Sequence, residues 1–240
     1  MRMAVSTMVV LVAGLLGACG AGPGTAENPP LAVPAATRTV SWDFEDAAPG
    51  TLPEGWTVGA TGKGRPLATW EVVEDAAAPS GKHVLALTRV NHSSGHTFNL
   101  CWTDRVTFHD GVIKVKFRAN TGRIDQGGGV TWRQQDQDNY YIARFNPLED
   151  NFRIYRVVDG RRRMIVSADV HLEPGWHSMK IVQLGDRFEG WLDGRRLLAG
   201  RDGTFPGEGM VGLWTKADAA TSFDDFTVEL VGEASGEGSR

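Results

Sequence analysis

The stretch VIKVKFR, residues 112–118, alternates apolar and basic side chains. A period of two places the apolar side chains on one face of an extended chain and the basic ones on the other, so it predicts a β-strand with one buried face. Helical periodicity is nearly absent from residues 38–231, where short runs rich in β-branched and aromatic residues alternate with Gly, Asp, Asn and Pro. The sequence therefore predicts an all-β protein.

The same pattern predicts further strands and the turns between them. These strands are expected at residues 70–73, 84–90, 129–133, 140–146, 152–158, 177–184, 187–192, 210–215 and 222–230. Asp159-Gly160 and Asp193-Gly194 are hairpin-turn dipeptides, because glycine takes positive φ at little cost. So many short strands in one domain predict two packed antiparallel sheets, in a sandwich, jelly roll or barrel.

The chain begins with a pattern typical of an export signal. Arg2 supplies a positive charge, residues 8–16 carry no charge and are mostly apolar, and the sequence LGAC ends at Cys19. Such a run is too short to span a bilayer, which needs about 20 residues. LGAC resembles the bacterial lipobox, which implies cleavage before Cys19 and acylation of its thiol. An ordinary signal peptide cleaved nearby is the alternative.

Composition divides the whole chain into four segments. Residues 1–18 are the predicted signal, and residues 19–37, rich in Gly, Ala and Pro, are a flexible tether. Residues 38–231 form one β-sandwich domain, and residues 232–240 are a disordered tail. We therefore expect an exported lipoprotein of the cell membrane or outer membrane, attached through Cys19 and facing away from the cytoplasm.

Charge and cysteine content exclude two classes of function. The formal net charge is -4, acidic and basic residues are interspersed, and the one basic cluster, residues 161–163, follows a turn, so nucleic acid is not an expected partner. If Cys19 carries lipid, Cys101 has no partner for a disulfide. Cys101 lies between apolar residues and is expected to be a buried small hydrophobe rather than a nucleophile.

Several motifs occur in an order that points to a family. They are WDFE at 42–45, DNYY at 138–141, GWHSMKI at 175–181, FEGWLDG at 188–194, GMVGLW at 209–214 and FDDFTV at 223–228. Together they resemble concanavalin A-like jelly rolls, a group that includes laminin G-like domains, family 16 glycosidases and the bacterial 3-keto-disaccharide hydrolase-like domains. The resemblance implies two curved antiparallel sheets, with a groove over the concave one.

The sequence lacks the catalytic strand of the family 16 enzymes. That strand carries Glu-x-Asp-x-Glu, which places two carboxylates on one face about 5 Å apart. Asp136 and Asp138 have a suitable spacing but precede Asn139 in a predicted turn. A glucanase of this kind is therefore disfavoured. Hydrolysis or elimination of 3-keto-glycosides remains an alternative, as does a non-catalytic protein-interaction lipoprotein.

A carbohydrate-binding groove is predicted on the central strands. In residues 140–146 one face carries Tyr141, Ala143 and Phe145 and is expected to meet the core. The other face is expected to line the groove, where rings stack on sugar CH groups while Arg and Asn bond hydroxyls. The predicted contacts are Arg133, Tyr140, Arg144 and Asn146, with Trp132 and Arg153 as additions. An ordinary solvated face is the alternative, and a register error of one residue would exchange the two faces.

The family resemblance also implies a structural calcium ion. In many concanavalin A-like domains an acid on the last strand and groups near the first strand share a cation. Glu45, the backbone carbonyl of Gly81 and Asp225 match these positions. Calcium prefers six to eight oxygen ligands, so this set would need further carbonyls or waters.

Overall fold

The computed structural model describes residues 29–91 and 95–232, and every regular element in them is a β-strand. The strands, in chain order, are β1 Arg38–Trp42, β2 Trp56–Ala60, β3 Thr69–Glu74, β4 His83–Arg89, β5 Phe98–Phe108, β6 Gly111–Thr121, β7 Gly128–Asp136, β8 Asn139–Asn146, β9 Asn151–Val158, β10 Arg161–Asp169, β11 Trp176–Leu184, β12 Arg187–Leu192, β13 Arg195–Arg201, β14 Gly209–Lys216 and β15 Ala220–Leu230.

The strands form two antiparallel sheets. One has eight strands in the order β13-β12-β11-β6-β15-β4-β3, with β1 paired to β15 as well. The other has seven strands in the order β10-β9-β8-β7-β14-β5-β2. The prediction of an all-β, two-sheet antiparallel sandwich is confirmed. Within the described residues no helix is long and apolar enough to cross a membrane.

The core lies between the sheets and follows the predicted alternation. On β6, Ile113, Val115 and Phe117 are buried in this core, while Lys114 and Lys116 lie on the other face. Cys101 is completely buried in the same core, and burial raises the pKa of its thiol. The expectation that Cys101 is a packed, unreactive side chain is confirmed.

Two predicted turns and several unpredicted strands complete the fold. Asp159-Gly160 and Asp193-Gly194 have positive φ and connect β9 to β10 and β12 to β13. β1, β2, β5, β10 and β13 were not among the predicted strands. β5 is apolar towards both faces, with Leu100 on one and Cys101 on the other, so it shows no alternation.

Candidate functional site

The outer face of the seven-stranded sheet carries the residues predicted to line a groove. Tyr141, Ala143 and Phe145 of β8 pack into the core between the sheets. Tyr140 and Ile142 belong to a separate apolar cluster on the opposite side. The predicted faces of this strand are therefore confirmed.

This outer face is strongly concave, as one side chain shows. Arg162 lies on the edge strand β10, yet its guanidinium carbon is 5.6 Å from the ring centre of Trp214 on β14 and 4.9 Å from that of Phe98 on β5. In a flat sheet, the five strand spacings between β10 and β5 would amount to about 24 Å, more than an arginine side chain can reach. The sheet must therefore curl towards this face.

Three aromatic rings form a platform inside the curve. Tyr155, Trp214 and Phe98 all lie under the guanidinium of Arg162, with Tyr155 nearest at 4.3 Å. The Phe98 and Trp214 ring centres are 5.3 Å apart. Tyr140 supports Trp214 by accepting a hydrogen bond from its indole nitrogen at 3.2 Å. We call the three rings beneath Arg162 the aromatic platform.

Two hydrogen-bond donors at the platform have no partner in the structure. They are Nη1 of Arg162 and Nε of Arg144, and both atoms are buried. Burial also lowers the pKa of Arg162. An unsatisfied buried donor costs about 1–3 kcal/mol, and more when it is charged. A ligand that brings acceptor oxygens to this face would therefore be stabilised by donors that are already in place.

The predicted groove residues are packed more tightly than expected. Tyr140, Arg144 and Asn146 are on the predicted face but at most 2% exposed, so none of them lines an open groove. Arg144 donates to Asn151, Tyr155 and the carboxylate of Glu149, at 2.7–3.1 Å. Because the sheet curls, side chains from neighbouring strands converge and cover one another on this face.

Arg133 and Trp132 do not line the concave face, and their assignment to the groove was wrong. Trp132 packs in the core between the sheets and donates to Gln183 at 2.9 Å. A break in the β7–β8 register follows it, and Arg133 has a φ of 45°. Its buried guanidinium instead joins loops. It donates to the backbone carbonyls of His109, Gly185 and Phe205 and to the carboxylate of Asp110.

Arg153 lies at the rim of the concave face and is partly exposed. Its guanidinium donates to Glu149 and Ser167 at 2.9 and 3.0 Å. Burial alone would raise the pKa of Glu149, but hydrogen bonds from Arg144 and Asn151, with the charges of Arg144 and Arg153, lower it to about 2. Glu149 is thus held as a carboxylate between two arginines.

Asp125 is a second carboxylate at this end of the face. It is 3% exposed and accepts hydrogen bonds from Asn146 at 2.9 Å and from the ammonium of Lys216 at 2.7 Å. Like Glu149, it faces a cation. Glu149 therefore lacks the apolar surroundings that keep a general acid protonated near neutral pH, and Asp125 is occupied by its hydrogen bonds from Asn146 and Lys216.

The corner expected to hold calcium is formed in part. Glu45 packs against Gly81 so closely that a Cβ on Gly81 would lie 2.3 Å from the carboxyl carbon of Glu45. Asp225 faces a different cavity, whereas the adjacent Asp224 accepts hydrogen bonds from the amide and hydroxyl of Ser80. Two carboxylates thus meet the 80–83 turn. No group of three or more His, Cys, Asp or Glu side chains could hold a metal in residues 29–91 and 95–232. The calcium ion stays a prediction.

Arg162 and the platform rings Phe98, Tyr155 and Trp214 are the residues of this site that were not predicted from the sequence. The cluster at 161–163 was assigned to a hairpin tip, which is correct, but β10 was not recognised as a strand. The two-residue turn pairs Arg162 with Val157, so both lie on one face. The Asp159-Gly160 dipeptide, which indicates this two-residue turn, is visible in the sequence. Cys19 and the signal that precedes it lie outside the described residues.

The fold has relatives among solved structures. Cellulose induced protein, Cip1, is 17% identical with a TM-score of 0.59, covering 80% of this chain and 99% of that one. Carbohydrate binding module CBM66 from Bacillus subtilis is 20% identical with a TM-score of 0.56, covering 72% and 94%. A Bacillus subtilis protein of unknown function with a galectin-like fold is 14% identical with a TM-score of 0.58, covering 82% and 97%.

At such identities the likeness shows the fold alone. The chain has the galectin-like, jelly-roll β-sandwich architecture. No protein-family model matches the sequence, and no curated protein does either.

Proposed function

We propose that this protein binds carbohydrate on the concave face of its seven-stranded sheet and does not catalyse a reaction there. The observation that carries the proposal is the aromatic platform under Arg162, whose Nη1 is buried without a partner. The rings are at most 9% exposed and hold Arg162 above them, and an unpaired guanidinium donor suits the hydroxyl oxygens of a sugar that contacts this face. Similarity to a carbohydrate binding module supports the proposal at the level of the fold.

Binding is favoured over catalysis by the state of the nearby carboxylates. A glycosidase needs one carboxyl group that remains protonated and a second placed across the sugar. Glu149 is held ionised by its arginines, and Asp125 is bonded to Lys216. Asp224 has a pKa raised by burial, but it lies on the other sheet. We therefore expect no turnover of 3-keto-disaccharides, the substrates of the enzymatic alternative.

The test compares neighbouring arginines of one strand. Arg162→Ala should weaken binding of any oligosaccharide detected on a glycan array by about tenfold or more, since it removes a charged hydrogen-bond donor. Arg163→Ala is the matched control, because Arg163 is exposed and follows Arg162 on the opposite face of β10. Calorimetry with the selected oligosaccharide gives the affinities, and circular dichroism shows that each variant is folded.

Two results would contradict this proposal. Equal losses in both variants would show that general positive charge, rather than the platform, binds the sugar. Tighter binding by Arg162→Ala would show that the guanidinium obstructs the rings instead of donating to the ligand. Arg162→Lys keeps the charge without the planar donors, so it should bind nearly as weakly as Arg162→Ala.

We also propose that the protein acts at the cell envelope, anchored through lipid on Cys19. The support is the apolar run at 8–16 and the LGAC sequence. Cys19→Ala should move the protein from the membrane fraction to the soluble fraction, because acyl chains supply the membrane affinity. Cys101→Ala is the control, since its thiol is buried. A Cys19→Ala protein that still fractionates with membranes would refute lipid anchoring there.

A further inference from the structure

The opposite side of the molecule contains a cavity with a volume of about 770 Å³. It lies on the outer face of the eight-stranded sheet, whereas the aromatic platform lies on the other sheet. Its volume is within the range of small-molecule sites.

Strand register builds one row of side chains across this cavity. Trp191 on β12 is paired with Lys180 on β11, and Lys180 is paired with Lys114 on β6. Lys114 is paired with Thr227 on β15, which is paired with Ser41 on β1. Directly paired residues of adjacent strands point to the same face of a sheet. One cavity thus contains a ring, two ammonium groups and two hydroxyls in a line.

A third lysine makes this side strongly positive. Lys116 follows Lys114 by two residues on β6 and lines the same cavity. Lys114 has a carboxylate partner, Glu229. Lys180 lies 3.6 Å from the centre of the Trp191 ring, and neither Lys116 nor Lys180 forms an ion pair within 4.0 Å in the described structure. The described residues therefore leave both ammonium groups without a close ion pair, although aspartates also line the same cavity.

Carboxylates occupy the other side of the same cavity. Asp43 and Asp46 follow β1, and Asp225 lies at a break in the β6–β15 register with a φ of 50°. The break inserts one extra residue in β15, and Asp225 lines the cavity there. The cavity thus has cationic donors and a ring on one side and anionic acceptors on the other.

We propose that this cavity, the lysine pocket, binds a saccharide that carries one carboxylate, such as a uronic acid. The ligand's carboxylate would lie against Lys116 and Lys180, and its hydroxyls would donate to the aspartates. A partly exposed edge of Trp191 offers a surface for the sugar ring. A phosphate fits less well, because its second negative charge would be repelled by three carboxylates in the same cavity.

The test uses glucuronate and its methyl ester, which share one skeleton and differ by a single charge. Calorimetry should show the acid binding about tenfold or more tightly than the ester, with affinity falling as salt is added. Lys116→Gln with Lys180→Gln should abolish that difference. Lys63→Gln with Arg65→Gln is the charge-matched control, since both are exposed loop residues outside the pocket.

Several outcomes would overturn the assignment. The ester could bind as tightly as the acid, neither probe could bind, or glucose 6-phosphate could bind more tightly than glucuronate. A concentration-dependent dimer that the double lysine variant abolishes would assign this face to a second copy of the chain instead. Circular dichroism of the double variant shows whether a loss of binding reflects misfolding.

Discussion

At the residue scale, Glu149 shows how one carboxylate organises a buried cationic face. Arg144 is 2% exposed and carries a full charge, which is costly to bury without a partner. Glu149 supplies that partner, and it accepts from Arg153 and Asn151 as well. Arg144 can therefore be buried at the concave face, while Arg162 lies above the aromatic platform.

Replacing Glu149 should lower stability in a pH-dependent way. The pKa of its carboxyl group is about 2 in the folded protein, below the ordinary 4.5. A depressed folded pKa adds stability above about pH 4.5, and that stability is lost as the pH falls towards 2. Glu149→Gln should therefore cost about 1–3 kcal/mol at neutral pH. The difference from wild type should shrink between pH 5 and 2.

Thermal unfolding across this pH range measures the effect. Glu74→Gln is the matched control, because Glu74 is exposed at the end of β3. If Glu149→Gln and Glu74→Gln show the same pH profile, the carboxylate of Glu149 does not stabilise the arginines. Glu149 is itself partly exposed, so solvent screens its charge. We therefore expect the stability lost in Glu149→Gln to lie towards the lower end of about 1–3 kcal/mol.

At the scale of the element, alternation and turns were predictable and irregular strands were not. VIKVKFR alternates, and its apolar side chains are in the core as predicted. Asp159-Gly160 gives the turn that the dipeptide requires. β10, which follows, has a register break between Met164 and Val166. A bulge of this kind moves later side chains to the other face, so a period of two does not persist along the strand.

The faces of β8 were predictable, but their environment was not. A period of two separates Tyr140 from Tyr141 whatever surrounds the strand. Whether Tyr140 then meets solvent depends on residues distant in sequence, such as Thr61, whose hydroxyl is 2.8 Å from the Tyr140 hydroxyl. The prediction therefore identified the correct face and gave the wrong exposure.

At the scale of the whole molecule, the curl of the seven-stranded sheet decides where ligands can reach. Curvature accumulates over many paired strands, and no single segment of sequence contains it. It brings Arg162 over rings on three other strands and fills the groove with side chains. The eight-stranded sheet leaves a cavity on its outer face. The two faces therefore present different ligand chemistry, neutral rings with arginine on one and paired charges on the other.

The first and last strands of the described structure meet near the corner where calcium is predicted. Glu45 follows β1 and Asp224 lies on β15, and both bond to the same turn, residues 80–83. Asp224 is fully buried, and its pKa is raised by burial and by the charge of Asp225. It has no cationic partner within 4.0 Å in the described structure. A cation shared with Glu45 and carbonyls of the turn would supply that missing charge.

Calcium should therefore raise the melting temperature of the metal-stripped protein. At a calcium concentration one hundred times the Kd, binding adds about 2.7 kcal/mol, which corresponds to about 5–10 °C for a domain of this size. Asp224→Asn should remove the increase, whereas Asp225→Asn should retain it, because Asp225 faces the lysine pocket. Loss of the increase in Asp225→Asn alone would restore the ligand chosen from the sequence. A wild-type melting temperature that responds to neither calcium nor chelator would mean that hydrogen bonds to the backbone hold this corner by themselves.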